Sequence, residues 1–262
     1  KVLEISENTG VNNVVLDPSN PEIMYATSEQ RRRTSFTKIG GGPESAVYKS
    51  TDCGENWRKI TKGLPGVHLG GMGIDVSPVN SNYVYLIIEA ADDQGGFYRS
   101  TDKGESWSKM YDTVSGATGP HYYQELVASP HHFDKIYLMD VRVQVSDDGG
   151  KTFYRMNEGN KHSDNHSLTF KENDPNYMLI GTDGGLYESF DGTKSWKYVR
   201  NLPITQYFKI AVDDAEPFYN VYGGTQDNGS HGGPSRTISS DGIASADWWK
   251  TLGADGAQTA TE

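Results

Sequence analysis

Short apolar runs alternate with turn residues along nearly the whole chain. Val14-Val-Leu is followed by Asp17-Pro18-Ser-Asn-Pro and then Ile23-Met-Tyr25-Ala. The same order recurs from Ile74 through Ser77-Pro78 to Tyr85-Leu, and from Leu126 through Ser129-Pro130 to Tyr137-Leu. Weaker copies run from Leu168 to Ile180 and from Ile210 to Tyr222. Each copy predicts a strand, a Pro/Asn/Asp turn and a second strand rich in β-branched and aromatic residues. A third strand follows (Ala46-Val-Tyr-Lys, Gly96-Phe-Tyr-Arg, Gln144-Val, Gly185-Leu-Tyr-Glu), then a fourth opening on Trp57, Trp107, Phe153 or Trp196. No segment has the 3.6-residue apolar period of a helix.

Between third and fourth strands lies a second repeat: Ser50-Thr-Asp52-Cys-Gly54, Ser100-Thr-Asp102-Lys-Gly104, Ser146-Asp-Asp148-Gly-Gly150 and Ser189-Phe-Asp191-Gly-Thr193. Its aspartates stand 50, 46 and 43 residues apart, the spacing of four-stranded propeller blades. The fourth copy has Gly192 one place early and Thr193 where glycine is expected. Ser-x-Asp-x-Gly-x-x-Trp resembles the Asp-box, or bacterial neuraminidase repeat. Asp52, Asp102, Asp148 and Asp191 are expected to staple turns, since a catalytic group need not recur in every blade.

The expected fold is all-β: a propeller of four-stranded antiparallel blades with Asp-box turns, about five of them present. The blades are placed at 10–62, 63–112, 113–157, 158–201 and 202–262, after a tail of a preceding blade at 1–9. Lys1-Val-Leu-Glu-Ile-Ser6 and Trp248-Trp-Lys-Thr-Leu both read as fourth strands. Two fourth strands do not complement each other, so a fragment of a larger, seven-bladed or tandem propeller is expected.

Composition narrows the function. The 262 residues carry 24 Lys+Arg against 35 Asp+Glu, a net charge of −11. That balance argues against tracking nucleic-acid phosphates or anionic lipid, and no run is apolar enough to span a membrane. With 5 Trp, 16 Tyr and 8 Phe the chain has the aromatic content of a folded protein. The lone Cys53 can form neither an intrachain disulfide nor a cysteine zinc site.

Because consecutive strands are antiparallel, loops after first and third strands share one face and loops after second and fourth share the other. Everything that departs from the repeat collects on the second face, where binding and catalysis usually live. It includes the long loop from Thr27 to Ser45 with Arg31, Arg32 and Arg33, the His121-Tyr-Tyr-Gln-Glu125 segment and the His162-Ser-Asp-Asn-His166 segment. Asp164, Asp227, Glu89 and Asp140 are the candidate catalytic carboxylates. Glu125, His166, Asp183 and Gln226 are expected to bind substrate beside them, with Tyr122, Tyr123 and the three arginines at the rim. A polar pocket with carboxylates and flanking aromatics suits sugars, although Asp183-Gly-Gly and Asp227-Asn-Gly also read as plain turn formers. His162-x-Asp-x-His166 could ligate a metal, but its spacing on a loop is unspecific. No cofactor is expected: Asp/Asn-rich turns could take calcium, yet no twelve-residue calcium loop is present.

Gln30-Arg-Arg-Arg, Gly41-Gly-Pro-Glu-Ser, Gly95-Gly-Phe-Tyr-Arg-Ser-Thr-Asp, Ser163-Asp-Asn-His, Gly184-Gly-Leu-Tyr-Glu-Ser and Tyr219-Asn-Val-Tyr-Gly-Gly-Thr-Gln-Asp-Asn together resemble a secreted bacterial family. Its members are sortilin-like Asp-box propellers labelled "glycosyl hydrolase". Where that family has Gly-Gly-Asp-Gly this chain has Gly253-Ala254-Asp255-Gly256. The resemblance implies export to the periplasm, cell surface or medium, further blades on both sides, and a polysaccharide or surface glycan as partner, hydrolysed in the whole protein. The alternative it leaves open is a non-enzymatic, sortilin-like scaffold for proteins or peptides. Sialidase activity is not expected, because the arginines at 31–33 sit in one loop rather than in separate blades.

Overall fold

A computed structural model of the chain describes residues 2–114, 122–202 and 204–260. The described residues form five antiparallel sheets, each with its strands in chain order. The first contains β1 (Thr9–Asp17), β2 (Asn20–Arg33), β3 (Lys38–Gly40), β4 (Ala46–Ser50) and β5 (Arg58–Ile60), with β3 paired to the far end of β2. The second contains β6 (Leu69–Val76), β7 (Val84–Ala90), β8 (Gly96–Ser100) and β9 (Ser108–Tyr111). The third contains β10 (Leu126–Ala128), β11 (Ile136–Leu138), β12 (Gln144–Ser146) and β13 (Tyr154–Arg155). The fourth contains β14 (Asn165–Lys171), β15 (Asp174–Thr182), β16 (Gly185–Ser189) and β17 (Lys197–Tyr198). The fifth contains β18 (Lys209–Val212), β19 (Asn220–Thr225), β20 (Gly229–Pro234) and β21 (Trp249–Leu252). The one helical element among the described residues is a 3₁₀ turn, Ser245–Asp247. This is the all-β, four-stranded blade architecture that the repeats predict.

The chain divides into two compact units, Lys1–Tyr198 with four sheets and Val199–Glu262 with the fifth. In the first unit apolar layers join successive sheets. Val84, Leu86 and Ile88 of β7 bury one way, against Tyr25, Val47 and Met72, while Tyr85 and Ile87 bury the other way, against Leu126, Ile136 and Leu138. A third cluster joins Tyr137, Met139 and Val145 to Leu168, Ile180 and Trp196. A strand buried on both faces needs a continuous apolar run rather than an alternating one, which explains Val84-Tyr-Leu-Ile-Ile88. Asp75 of β6 ties two sheets: it accepts N–H bonds from Val76 at 2.8 Å and from Ala128 of β10 at 2.7 Å.

The four Ser-x-Asp turns share one hydrogen-bonding scheme. In the second, Ser100 Oγ donates to Asp102 Oδ1 (2.7 Å) and accepts from Gly104 N (2.8 Å), while Asp102 Oδ1 accepts from Ser106 N (2.8 Å). The bonds recur around Ser50/Asp52, Ser146/Asp148 and Ser189/Asp191. Burial alone would raise the Asp102 pKa, but the bonds from Ser106, Ser100 and the backbone outweigh it and hold the carboxyl down at about 2. Each turn also docks on its own sheet: Cys53, Lys103, Gly149 and Gly192 donate N–H bonds of 2.9–3.0 Å to the carbonyls of Glu22, Asn82, Asp134 and Asn176.

Two consecutive residues in each turn have left-handed backbone, Lys103 (φ 55°) with Gly104 (φ 77°) in the second and Gly192 (φ 67°) with Thr193 (φ 77°) in the fourth. Gly104 and Gly150 are also required by packing, since a Cβ there would lie 2.8 Å from Tyr25 and 1.9 Å from Phe97. The fourth turn keeps the geometry with a β-branched residue in a conformation such residues avoid.

Two expectations change. The segment from Thr27 to Ser45 is not an irregular loop, because β2 continues through Arg33 and pairs with β3, Arg31 opposite Gly40 and Arg33 opposite Lys38. Lys1 lies outside the described residues, and Val2 to Ser6 form no fourth strand; only Ser6 bridges Thr9. The polar side chains of Ser6 and Thr9 instead both reach Glu44.

Candidate functional site

Loops after second strands and before first strands bring one cluster together in the first unit. Its floor is a buried polar network that sequence reasoning missed. Lys161 Nζ meets Glu158 Oε1 at 2.7 Å and the side chain of Asn165, and Asn165 Nδ2 donates to Glu158 Oε1 (2.9 Å) and to the carbonyls of Asp140 (3.0 Å) and Val141 (3.1 Å). Burial pushes the Lys161 ammonium below its ordinary pKa, against the opposing pull of Glu158. Glu158 Oε1 is fully engaged, while its Oε2 has no hydrogen-bond partner among the described residues and faces Arg142 at 3.9 Å; such a buried pair fixes geometry more than it adds stability. Here it fixes the loop that carries Asp164. Only the triplet of polar types in Glu158-x-x-Lys161-x-x-x-Asn165 signalled it.

Above that floor, Asp164 takes left-handed backbone (φ 62°) and its N–H bonds Val141 O at 3.0 Å. Its carboxylate accepts from Tyr123 OH at 2.9 Å and from Ser163 Oγ. The Tyr123 ring stacks on His166, centroids 5.2 Å apart and planes 19° from parallel, and His166 Nε2 meets Asp183 Oδ1 at 2.8 Å. Burial, reinforced by the bond to Asp164 and by the charges of Asp164, Asp183 and Asp140, pushes the Tyr123 phenol above its ordinary pKa. Glu125 stands within electrostatic range of His166, and burial raises its pKa against weaker backbone and histidine contributions. Its Oε2 is buried without a hydrogen-bond partner among the described residues. His166 and Asp183 are the open members, with 39% and 37% of their side chains exposed.

Thus the structure brings together Tyr123, Glu125, Asp140, Asp164, His166 and Asp183. Tyr123 is buried, so it serves as a spacer between Asp164 and His166, while Tyr122 beside it is exposed. Asp140 is buried too, its Oδ1 accepting from Val141 N at 2.7 Å and its Oδ2 from Gln144 at 3.3 Å. Glu89 lies apart from this group: it accepts from Gly71 N at 3.0 Å and shares an electrostatic environment with Glu29. Arg31, Arg32 and Arg33 are exposed on β2. Gln226 and Asp227 belong to the second unit, in the turn between β19 and β20, where Asp227 N bonds Asp255 Oδ1 at 2.8 Å. His121 lies outside the described residues. His162, 3.8 Å from Asp164, turns its Nδ1 to Ser163 O at 2.8 Å. Among the described residues no group of three or more His, Cys, Asp or Glu side chains is placed to hold a metal, and no helix is long and apolar enough to cross a membrane.

Five antiparallel sheets, four of them layered through apolar seams, define blades of a β-propeller. The Sortilin-Vps10 family (sortilin, neurotensin receptor 3) matches residues 95–258, more than half of the chain, and the chain belongs to that family. No curated protein sequence matches it. Among solved structures it is similar to the GH74 enzyme of Niastella koreensis, with TM-score 0.53 and 18% identity over 93% of this chain and 38% of that one. The GH74 xyloglucanase of Xanthomonas campestris gives 0.52 and 17% over 86% and 37%. YCF48 bound to D1 peptide gives 0.50 and 11% over 95% and 69%. The chain therefore spans less than two fifths of the length of either GH74 enzyme.

Proposed function

We propose that this chain is the ligand-bearing part of an exported propeller that binds polysaccharide on the loop face of its first unit. The observation that carries this reading is the stacked Tyr123–His166 pair, with Asp164 behind it and Asp183 in front. An exposed imidazole edge beside an exposed carboxylate offers the paired donor and acceptor that vicinal hydroxyls need, and the exposed Tyr122 ring supplies a face for sugar C–H groups. Hydrolysis in the whole protein is the further step. Glu125, drawn toward its neutral form by burial, can give a proton to a leaving oxygen while Asp183 faces solvent as the second carboxylate. Asp164 and Asp140, engaged by Tyr123, Ser163, Val141 and Gln144, serve as positioning residues.

Affinity electrophoresis of the chain through gels cast with plant and bacterial polysaccharides tests binding. At least one polysaccharide should retard it, with His166→Ala and Asp183→Asn each weakening that retardation about tenfold. Equal mobility of parent and variants in every gel would overturn the reading. Release of reducing ends by the whole protein, and its loss in Glu125→Gln, tests hydrolysis. The rival is a peptide-binding scaffold, favoured by the family's neurotensin-receptor member and by the peptide on YCF48. It takes over if peptides bind at the His166–Asp183 edge and no glycan does.

A further inference from the structure

Glu29, Arg31 and Arg33 occupy alternate positions of β2 and so share one face of the strand. Lys38 stands directly opposite Arg33 across the β2–β3 pair and adds a third cation to that face. Arg32 points the other way, into the field of Glu44. Glu29, Arg31 and Arg33, with Gly10, Val11 and Asn12 of β1, line a cavity of about 470 Å³. Arg31, Arg33 and Lys38 outnumber Glu29 and the neighbouring Glu89 on this wall, in a chain whose net charge is −11.

Two features of the cavity are unspent. Glu29 is 93% buried (7% exposed), and its Oε1 has no hydrogen-bond partner among the described residues. The side chains of Arg33 and Lys38 are exposed and make no hydrogen bond or close ion pair among the described residues. Burial, joined by the charge of Glu89, holds the Glu29 carboxyl above its ordinary pKa, against the pull of Arg31 and Lys38. A buried acceptor requires a donor, and the Arg33 guanidinium on the cavity wall, with Lys38 across the strand pair from it, can take a planar anion in bidentate fashion. A ligand that meets both demands carries a hydroxyl a few ångströms from a carboxylate.

We propose that this cavity is a subsite for a uronate residue of an acidic polysaccharide, its carboxylate held by Arg33 and Lys38 and an adjacent hydroxyl donating to Glu29. The proposal rests on reading the loop face as a polysaccharide surface and names the sugar class. A glutamate or aspartate side chain offers the carboxylate without the neighbouring hydroxyl, so acidic peptides are the weaker match.

Calorimetric titration of the full chain with tetragalacturonate, its carboxyl-reduced counterpart and a glutamate tetrapeptide decides the matter. Tetragalacturonate should bind, and neither comparison ligand should. Arg33→Gln and Lys38→Gln should each weaken binding about tenfold, and added salt should weaken it further. Both side chains are exposed, so neither substitution disturbs the core. Equal binding of the carboxyl-reduced sugar, equal binding of the peptide, unchanged affinity in both variants, or no binding of tetragalacturonate would each overturn the assignment. If neutral polysaccharides still bind through His166 and Asp183 when tetragalacturonate does not, this subsite fails and the wider reading stands.

Discussion

Tyr123 donates its hydroxyl to Asp164 at 2.9 Å while its ring lies flat against His166. One buried side chain thus spaces two residues of the candidate site and fixes both. Tyr123→Phe keeps the stack and strands the carboxylate of Asp164 on that side. The variant should lose about 1–3 kcal/mol, the usual cost of removing a hydrogen bond to a charged group. Urea midpoints of parent and variant measure it, and Ser163→Ala in the same series shows whether the second donor compensates.

Thr193→Gly should stabilise the protein by about 0.5–1 kcal/mol. A non-glycine residue in left-handed backbone costs about 1–2 kcal/mol, part of which returns as the greater freedom of glycine in the unfolded chain. The reverse change in the second turn, Gly104→Thr, should be strongly destabilising, because its Cβ would press on Tyr25. Thermal denaturation of the two variants should move in opposite directions.

Asp75 gives the pH profile a feature opposite to that of Asp17. Burial, only partly offset by the N–H bonds from Ala128 and Val76, raises Asp75 to about 6. The folded state therefore resists an ionisation that the unfolded chain undergoes near pH 4, so stability falls as pH rises from about 4 to 6 and is level above. At 1.36 kcal/mol per pH unit this amounts to about 3 kcal/mol. Asp17 is opposed by burial but held down at about 2 by Lys103 and Ser19. Its contribution is present above pH 4 and lost as pH falls toward 2. Chemical denaturation from pH 3 to 8 of the parent and of Asp75→Asn separates them: the parent should lose ground to the variant between pH 4 and 6.

On the proposed reading, Glu125→Gln removes whatever glycan hydrolysis the whole protein performs, and it should leave the fold no weaker at neutral pH. The parent carries a half-buried carboxyl that burial keeps from ionising easily, a penalty present above the unfolded pKa and absent below it. The variant should be more stable than the parent at pH 7 and equal to it near pH 4. Paired melting curves at the two pH values test this.

The blades were legible because their signals are local. Ser100, Asp102, Gly104 and Ser106 lie within seven residues, and these serine and aspartate bonds close inside that span. Apolar runs such as Val84 to Ile88 announce two-sided burial directly. The site was legible only as a list of residues on one face. That Tyr123 turns inward while Tyr122 stays exposed depends on packing against His166, 43 residues away in the chain. The β2–β3 hairpin was missed because Thr34, Ser35 and Lys38 carry no apolar alternation: its outer faces are wet, and only pairing to Arg31–Arg33 makes it a strand. Lys161 and Glu158 were passed over for a related reason, since a charged pair in sequence says nothing of burial until Asn165 closes over it.

The N–H bonds from Cys53, Lys103, Gly149 and Gly192 to carbonyls of their own sheets anchor one rim of the first four blades in the same way. Length and chemistry can then change on the opposite rim, as they do where β3 is added to the first sheet, without altering how a blade is built. Two such chains can agree at each serine and aspartate of these turns and still recognise unrelated ligands. Sequence likeness concentrated there measures common descent of a scaffold, and specificity has to be read from the residues that do not repeat.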